Sequence, residues 1–126
     1  MEGLEIKNTE HKGRGVFATR DFREGDLIET CHIIECPEQD TELIDRTFLY
    51  NYYFNWGPKR NKVAIALGYG SLYNHSCEPN GVYTKDFEKK LIIFKCLKPI
   101  KKGEEITVFY RDNPDDKTPV WFEVKK

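Results

Sequence analysis

The chain has 126 residues, with 20 basic against 21 acidic side chains and a formal net charge of −1. That length holds one domain and no second core, and the charge balance excludes nonspecific attraction to nucleic acid as a main activity. No apolar run approaches the ~20 residues of a membrane-spanning helix, and the start, Met1-Glu2-Gly3-Leu4-Glu5-Ile6-Lys7, lacks the apolar centre of a secretory signal.

The rest reads as short β segments between turn signals. Residues 15–18 form the first, entered through His11-Lys12-Gly13, and residues 27–36 the second, after Arg23-Glu24-Gly25-Asp26. The one helix of any length falls within residues 42–54, where Leu43, Thr47, Tyr50 and Phe54 recur at helical spacing; its aromatic content makes part of it irregular. Further strands are predicted over 63–67 (after Trp56-Gly57-Pro58), 81–84, 91–95 and 105–109, the last following Lys101-Lys102-Gly103. The pattern describes a mostly β domain of small sheets, with no repeat, linker or internal boundary.

Charge is grouped along the chain. Residues 35–45 hold five acids and no base, and residues 85–102 hold seven lysines against two acids. These read as a solvated face and a basic hairpin edge that resists strand aggregation, or as an acidic groove for a basic peptide. Gly13-Arg14-Gly15-Val16-Phe17-Ala18 fits the dinucleotide pattern G-x-G-x-x-G/A, but that pattern needs a buried strand before it and a packed helix after it. A polar turn precedes it here and a short charged stretch follows. Two readings remain: a tight turn with one glycine at positive φ, or a place where backbone amides approach a ligand.

The four cysteines, at 31, 36, 77 and 96, contain no Cys-x-x-Cys pair. Cys31 and Cys36, an odd number apart, would point to opposite faces of a strand. The spacings favour free thiols in a reducing compartment; a zinc-bound interaction module using Cys31, Cys36, Cys77 and a histidine is the lesser reading. The densest chemistry lies in Asn74-His75-Ser76-Cys77-Glu78-Pro79-Asn80, a mixture that neither helix nor strand propensity explains. From residues alone, His75 reads as a buried hydrogen-bonded histidine and Asn74 and Asn80 as turn caps.

In order, Gly13 to Ala18, the Gly25-Asp26-Leu27-Ile28 strand start, the Asn74 to Asn80 block and the closing Gly103-Glu104-Glu105-Ile106-Thr107-Val108-Phe109-Tyr110 resemble the SET-domain family of protein lysine methyltransferases. The likeness spans nearly the whole chain as a single domain over residues 1–126, with core motifs in 13–110 and a C-terminal lid segment in 111–126. It implies small curved β-sheets with few short helices and a C-terminal pseudoknot. It also implies S-adenosylmethionine as methyl donor and a lysine-bearing protein, such as a histone or another basic protein, as acceptor. Transfer from a sulfonium is an in-line displacement that needs alignment. The lysine must first lose a proton, which costs about 4.6 kcal/mol at pH 7 unless the site lowers its pKa.

Residue by residue, the resemblance makes Tyr110 the principal catalytic group, orienting the amine. Tyr83 and Tyr52 become walls of an aromatic lysine channel. Arg14, Gly15, Asn74 and His75, with Tyr110 and Trp121, become donor contacts, Asn80 part of the supporting turn, and Trp121 with Phe122 the lid over the donor. The departures are informative. Ser71 stands where the family commonly has Arg, and Phe109 where it often has Asp. No cysteine follows Cys96, so a post-SET zinc cluster cannot assemble, and Cys77 is expected to be a small buried residue. Tyr83 and Val108 point to mono- or dimethylation. The chain is thus similar to the minimal stand-alone members of viruses and bacteria, able to pair as homodimers. That predicts a cytoplasmic protein in a bacterium, or one of the host nucleus or cytoplasm if viral or an effector, without direct nucleic-acid or membrane contact. A degenerate SET domain that binds a peptide without chemistry is the alternative.

Overall fold

The computed structural model describes residues 2–110. The predicted lid, residues 111–126 with Trp121 and Phe122, therefore lies outside the described residues. Strand β1 (Leu4–Asn8) pairs with β2 (Arg14–Ala18) as an antiparallel hairpin. Its turn is closed by Thr9, whose N–H and hydroxyl both donate to the Gly13 carbonyl. Gly13 takes φ +73° with open space around its α-carbon, so it is a turn glycine.

Strand β3 (Leu27–Cys36) is long enough to serve two partners. Its first part pairs with β8 (Leu91–Cys96) and its second part with β5 (Lys62–Ala66), both antiparallel. With β4 (Phe54–Trp56) and β7 (Gly81–Asp86) these make a five-stranded sheet of order β4-β5-β3-β8-β7. A second sheet has four strands, β1-β2-β9-β6, where β9 (Glu105–Val108) lies antiparallel to β2 and parallel to the two-residue β6 (Asn74–His75). Among the described residues no helix is long and apolar enough to cross a membrane.

The two sheets share one core. Val16, Ala18, Ile106 and Val108 come from the first, and Cys31, Ile92, Phe94 and Ala66 from the second, with the Tyr73 ring stacked on Phe94 at 4.4 Å between centroids. Alternation in β3 is broken once. A register shift between Leu27 and Glu29 buries both Ile28 and Glu29, after which Cys31 and Ile33 continue inward. The bulge puts a carboxylate into the core.

The helix expected within residues 42–54 is not formed as one element. Only α1 (Thr41–Asp45) is α-helical, and a 3-10 turn follows at Phe48–Asn51. Thr47 divides them. Its backbone is extended, its hydroxyl donates to the Ile44 carbonyl, and the same oxygen accepts the Leu49 N–H. A threonine offering local hydrogen bonds competes with helix propagation, and the helical period gains little from burial, since Leu43 is exposed and Phe54 is buried as part of a strand instead. Cys77, expected to be buried, is exposed: β6 ends at His75, and the chain turns away beyond Ser76. Among the described residues no three His, Cys, Asp or Glu side chains cluster as a metal site.

Gly70 sits where this core is tightest, since a β-carbon there would lie 2.6 Å from Ala66 Cβ and 3.0 Å from Cys31 Sγ. Gly70→Ala is expected to lower stability by about 1–3 kcal/mol through overpacking, read as a lower urea midpoint at unchanged m-value.

Candidate functional site

Glu29 is 5% exposed. Its carboxylate accepts the Tyr69 N–H at 2.9 Å and the Tyr73 hydroxyl at 2.7 Å. These donors flank the 3-10 turn Gly70–Leu72, so one carboxylate ties both ends of the turn to β3. The Tyr73 carbonyl in turn accepts the Tyr110 hydroxyl. A buried carboxylate is tolerated only when its oxygens are satisfied, and these bonds fix the groups around it as firmly as they fix Glu29.

His75 holds the other end of Tyr110. Its Nδ1 accepts the Tyr110 N–H at 3.0 Å, so in the neutral ring the proton sits on Nε2. The imidazole also packs on the Phe109 and Tyr110 rings, at 4.6 and 5.2 Å between centroids. Burial, with Tyr52 and Glu105 adding to it, pushes the Tyr110 phenol well above its ordinary value. Tyr110 therefore stays protonated at neutral pH and is no general base.

Asn74 joins three strands. Its amide donates to the Arg14 carbonyl at 3.1 Å and to Glu105 Oε2 at 2.7 Å, while the other Glu105 oxygen pairs with Lys12 at 3.1 Å. Gly15 makes this possible, because a β-carbon there would lie 2.5 Å from Glu105 Oε2 and 2.8 Å from the Asn74 amide nitrogen. Asn80 closes the crossing: its side chain accepts the Thr107 N–H and donates to the Glu105 carbonyl, both at 2.8 Å.

Two clefts open on this framework. The first is a slot of about 20 Å³ whose walls include Tyr52, Phe54, Ser71, Tyr83 and Tyr110, with Phe54 and Tyr83 in edge-to-face contact at 5.3 Å. The second, of about 330 Å³, is bordered by Lys12, Gly13 and Arg14 on one hairpin, by Phe48, and by Asn74. Tyr52, Ser71 and Tyr110 border both. The Ser71 hydroxyl is out of solvent and has no hydrogen-bond partner among the described residues, a state that costs about 1–3 kcal/mol.

Tyr52, Tyr83 and Tyr110, expected to act together, thus meet at the slot, and Arg14, Asn74 and Tyr110 meet at the wider cleft. Gly15 and His75 border neither; they stand behind it, as a space for Asn74 and as an anchor for Tyr110. Trp121 lies outside the described residues. Sequence reasoning gave no site role to Glu29 or Tyr73, and met Ser71 only as a departure from the family pattern. A signal for Glu29 existed, in that it begins the inward series 29, 31, 33 of β3.

A sequence profile described as the SET domain matches residues 13–111. The chain belongs to the SET-domain family. Over 121 residues, 95% of its length, it is 35% identical to the Schizosaccharomyces pombe histone-lysine N-methyltransferase specific for H3 lysine-37, covering 77% of that protein. It is also 36% identical, over 90% of its length, to a Plasmodium falciparum variant-silencing SET domain-containing protein, of which it spans 5%. A crystal structure of a candidate histone methyltransferase from Plasmodium falciparum superposes with a TM-score of 0.72 at 27% identity, covering 90% of this SET domain and 97% of that chain.

Removing the carboxylate of this SET domain by Glu29→Ala leaves two buried donors unpaired and should cost about 2–5 kcal/mol by urea titration. A second expectation concerns alkali. Burial, then Glu29, raises the Tyr73 phenol, and burial raises the Cys31 thiol. Above about pH 9–10 the unfolded chain releases these protons while the native state keeps them, so stability falls as pH rises. Urea midpoints should therefore hold from pH 7 to 8 and fall above pH 9, with a shallower fall in Tyr73→Phe.

Proposed function

We propose that this SET domain, a protein-lysine methyltransferase by family, transfers methyl groups from S-adenosylmethionine to a lysine side chain of a basic protein, with histones as the leading substrate class. The observation that carries this reading is the meeting of a narrow aromatic slot and a wider polar cleft at Tyr52, Ser71 and Tyr110. A slot with room for about one water-sized group suits the amine end of an extended side chain, and its aromatic walls suit the aliphatic stem and exclude water.

The wider cleft fits the donor in size, within the range of about 300–1,000 Å³ of small-molecule sites, and in chemistry. Arg14 offers a cation for a carboxylate, Asn74 a polar edge, and exposed Phe48 an apolar face for a flat heterocycle. When bound, the donor supplies an electrophilic methyl carbon on a sulfonium. The chain's own residues position and desolvate. Tyr110 uses its hydrogen on the Tyr73 carbonyl, so towards an amine its oxygen can only accept. That lets Tyr110 orient the amine through one N–H, turns its lone pair away from Tyr110, and leaves the released proton to water. Desolvation in the slot lowers the amine's pKa and supplies part of the deprotonation cost.

At the slot, Tyr53 donates to Asp45 at 2.8 Å. Asp45 belongs to the stretch with five acids and no base over residues 35–45, which supports a substrate with basic residues beside the target lysine.

Tyr110→Phe should reduce methyl transfer from labelled donor to core histones by about a hundredfold, the scale of losing one oriented polar group at a reacting centre, with donor affinity by calorimetry changed less than about threefold. Donor binding by the unaltered protein without transfer to histones or any lysate protein would sink the proposal. For the active protein, log kcat/KM should rise with pH at a slope near one across pH 7–9, because only the neutral amine reacts.

A further inference from the structure

The wider cleft and the methyl donor are mismatched in charge. Among the described residues two cations, Lys12 and Arg14, border the cleft and no Asp or Glu does. S-adenosylmethionine carries a sulfonium and an ammonium against one carboxylate, so it enters with a net positive charge. Its by-product, S-adenosylhomocysteine, keeps the ammonium and the carboxylate but holds a neutral thioether. With Lys12 and Arg14 alone, the cleft would favour the by-product over the donor.

Glu105 offsets this. It does not border the cleft, but its carboxylate is bonded to two residues that do, accepting the Asn74 amide at 2.7 Å and pairing with Lys12 at 3.1 Å. Its place is fixed, because Asn80 donates to its carbonyl at 2.8 Å and the missing side chain of Gly15 makes room for its Oε2. The acid is 17% exposed at its side chain and Lys12 27%, so water screens the cation more than the carboxylate. Burial is the main cause that raises the Tyr110 phenol, and Glu105 adds to it, so the field of this acid reaches the junction of the two clefts.

We infer that Glu105 selects the methyl donor over its by-product by charge, favouring the ligand that carries a sulfonium. This rests on the methyl-transfer reading given above. The two ligands share the adenosine, the ammonium and the carboxylate, so contacts to those groups cancel when their affinities are compared. What remains is the interaction of one positive charge with the fixed charges around the cleft. Glu105 strengthens it and Lys12 weakens it. Transfer of the methyl group removes that positive charge from sulfur, and with it the attraction, so the spent ligand gives way to fresh donor.

The test measures dissociation constants of S-adenosylmethionine and S-adenosylhomocysteine by calorimetry near neutral pH, for the unaltered protein and for two variants of opposite charge effect. Glu105→Gln keeps an acceptor for Asn74 but no charge. It should lower the by-product-to-donor ratio of dissociation constants about fivefold, the scale of one unit charge acting across a partly solvated margin. Lys12→Met leaves the acid without its cation and should raise the same ratio about threefold. A merely structural role, exerted through Asn74, would weaken both ligands by one factor and leave the ratio alone. Urea midpoints report whether each variant folds; should Glu105→Gln not fold, Lys12→Met, on the hairpin turn, carries the test by itself. An unchanged ratio in every folded variant, with both ligands still bound, would overturn the inference and leave the methyl-transfer reading standing. An unaltered protein that binds neither ligand would overturn both.

Discussion

The bonds made by the buried Glu29 carboxylate are the constraint on which the rest of the site depends. A charge in a core between two sheets is unfavourable unless donors surround it, and here the donors are the Tyr69 N–H and the Tyr73 hydroxyl. Satisfying one carboxylate therefore fixes the turn that carries Ser71 and the carbonyl that receives Tyr110. The geometry of the slot follows from the solvation needs of an acid that lies well away from the surface.

The second sheet supplies the complementary constraint. Asn74 and Asn80 use their amides to bind β6 and the following turn to β2 and β9, with contacts to the Arg14 carbonyl, the Glu105 backbone and side chain, and the Thr107 N–H. Parallel pairing over two residues is a weak joint. Side-chain bonds stabilise it where the backbone ladder is too short to do so. The densest polar block of the sequence is thus a structural crossing, and the wider cleft lies against one edge of it.

Much of this was legible in the sequence, for identifiable reasons. Strand β3 spans residues 27–36 as expected, since alternation after a Gly-Asp turn is a strong signal. β1 was not foreseen, because Leu4-Glu5-Ile6-Lys7-Asn8 carries two apolar residues and draws its support from pairing with β2. β6 is too short for any period to register. The helix over 42–54 was over-read because helical spacing says nothing about whether a neighbouring surface exists to bury the stripe, and Thr47 had a local alternative. Tyr52, Tyr83 and Tyr110 were each singled out only through family likeness. Their meeting with Ser71 was not, since residues 52, 71, 83 and 110 are brought together by the packing of two sheets, to which local pattern is blind.

The acceptor for the Tyr110 hydroxyl is a main-chain carbonyl, that of Tyr73, and no side-chain substitution can delete it. Apart from removing the donor at Tyr110, point mutation reaches this bond only by displacing the turn, that is, through Glu29, the Tyr73 ring and hydroxyl, or the absent side chain of Gly70. Substitution on the exposed rim of the wider cleft, as at Phe48, would leave this acceptor in place. Displacement of the acceptor, by contrast, is most readily reached from inside the core. A lineage built on this scaffold would be freer to vary the rim of its clefts than the turn behind them.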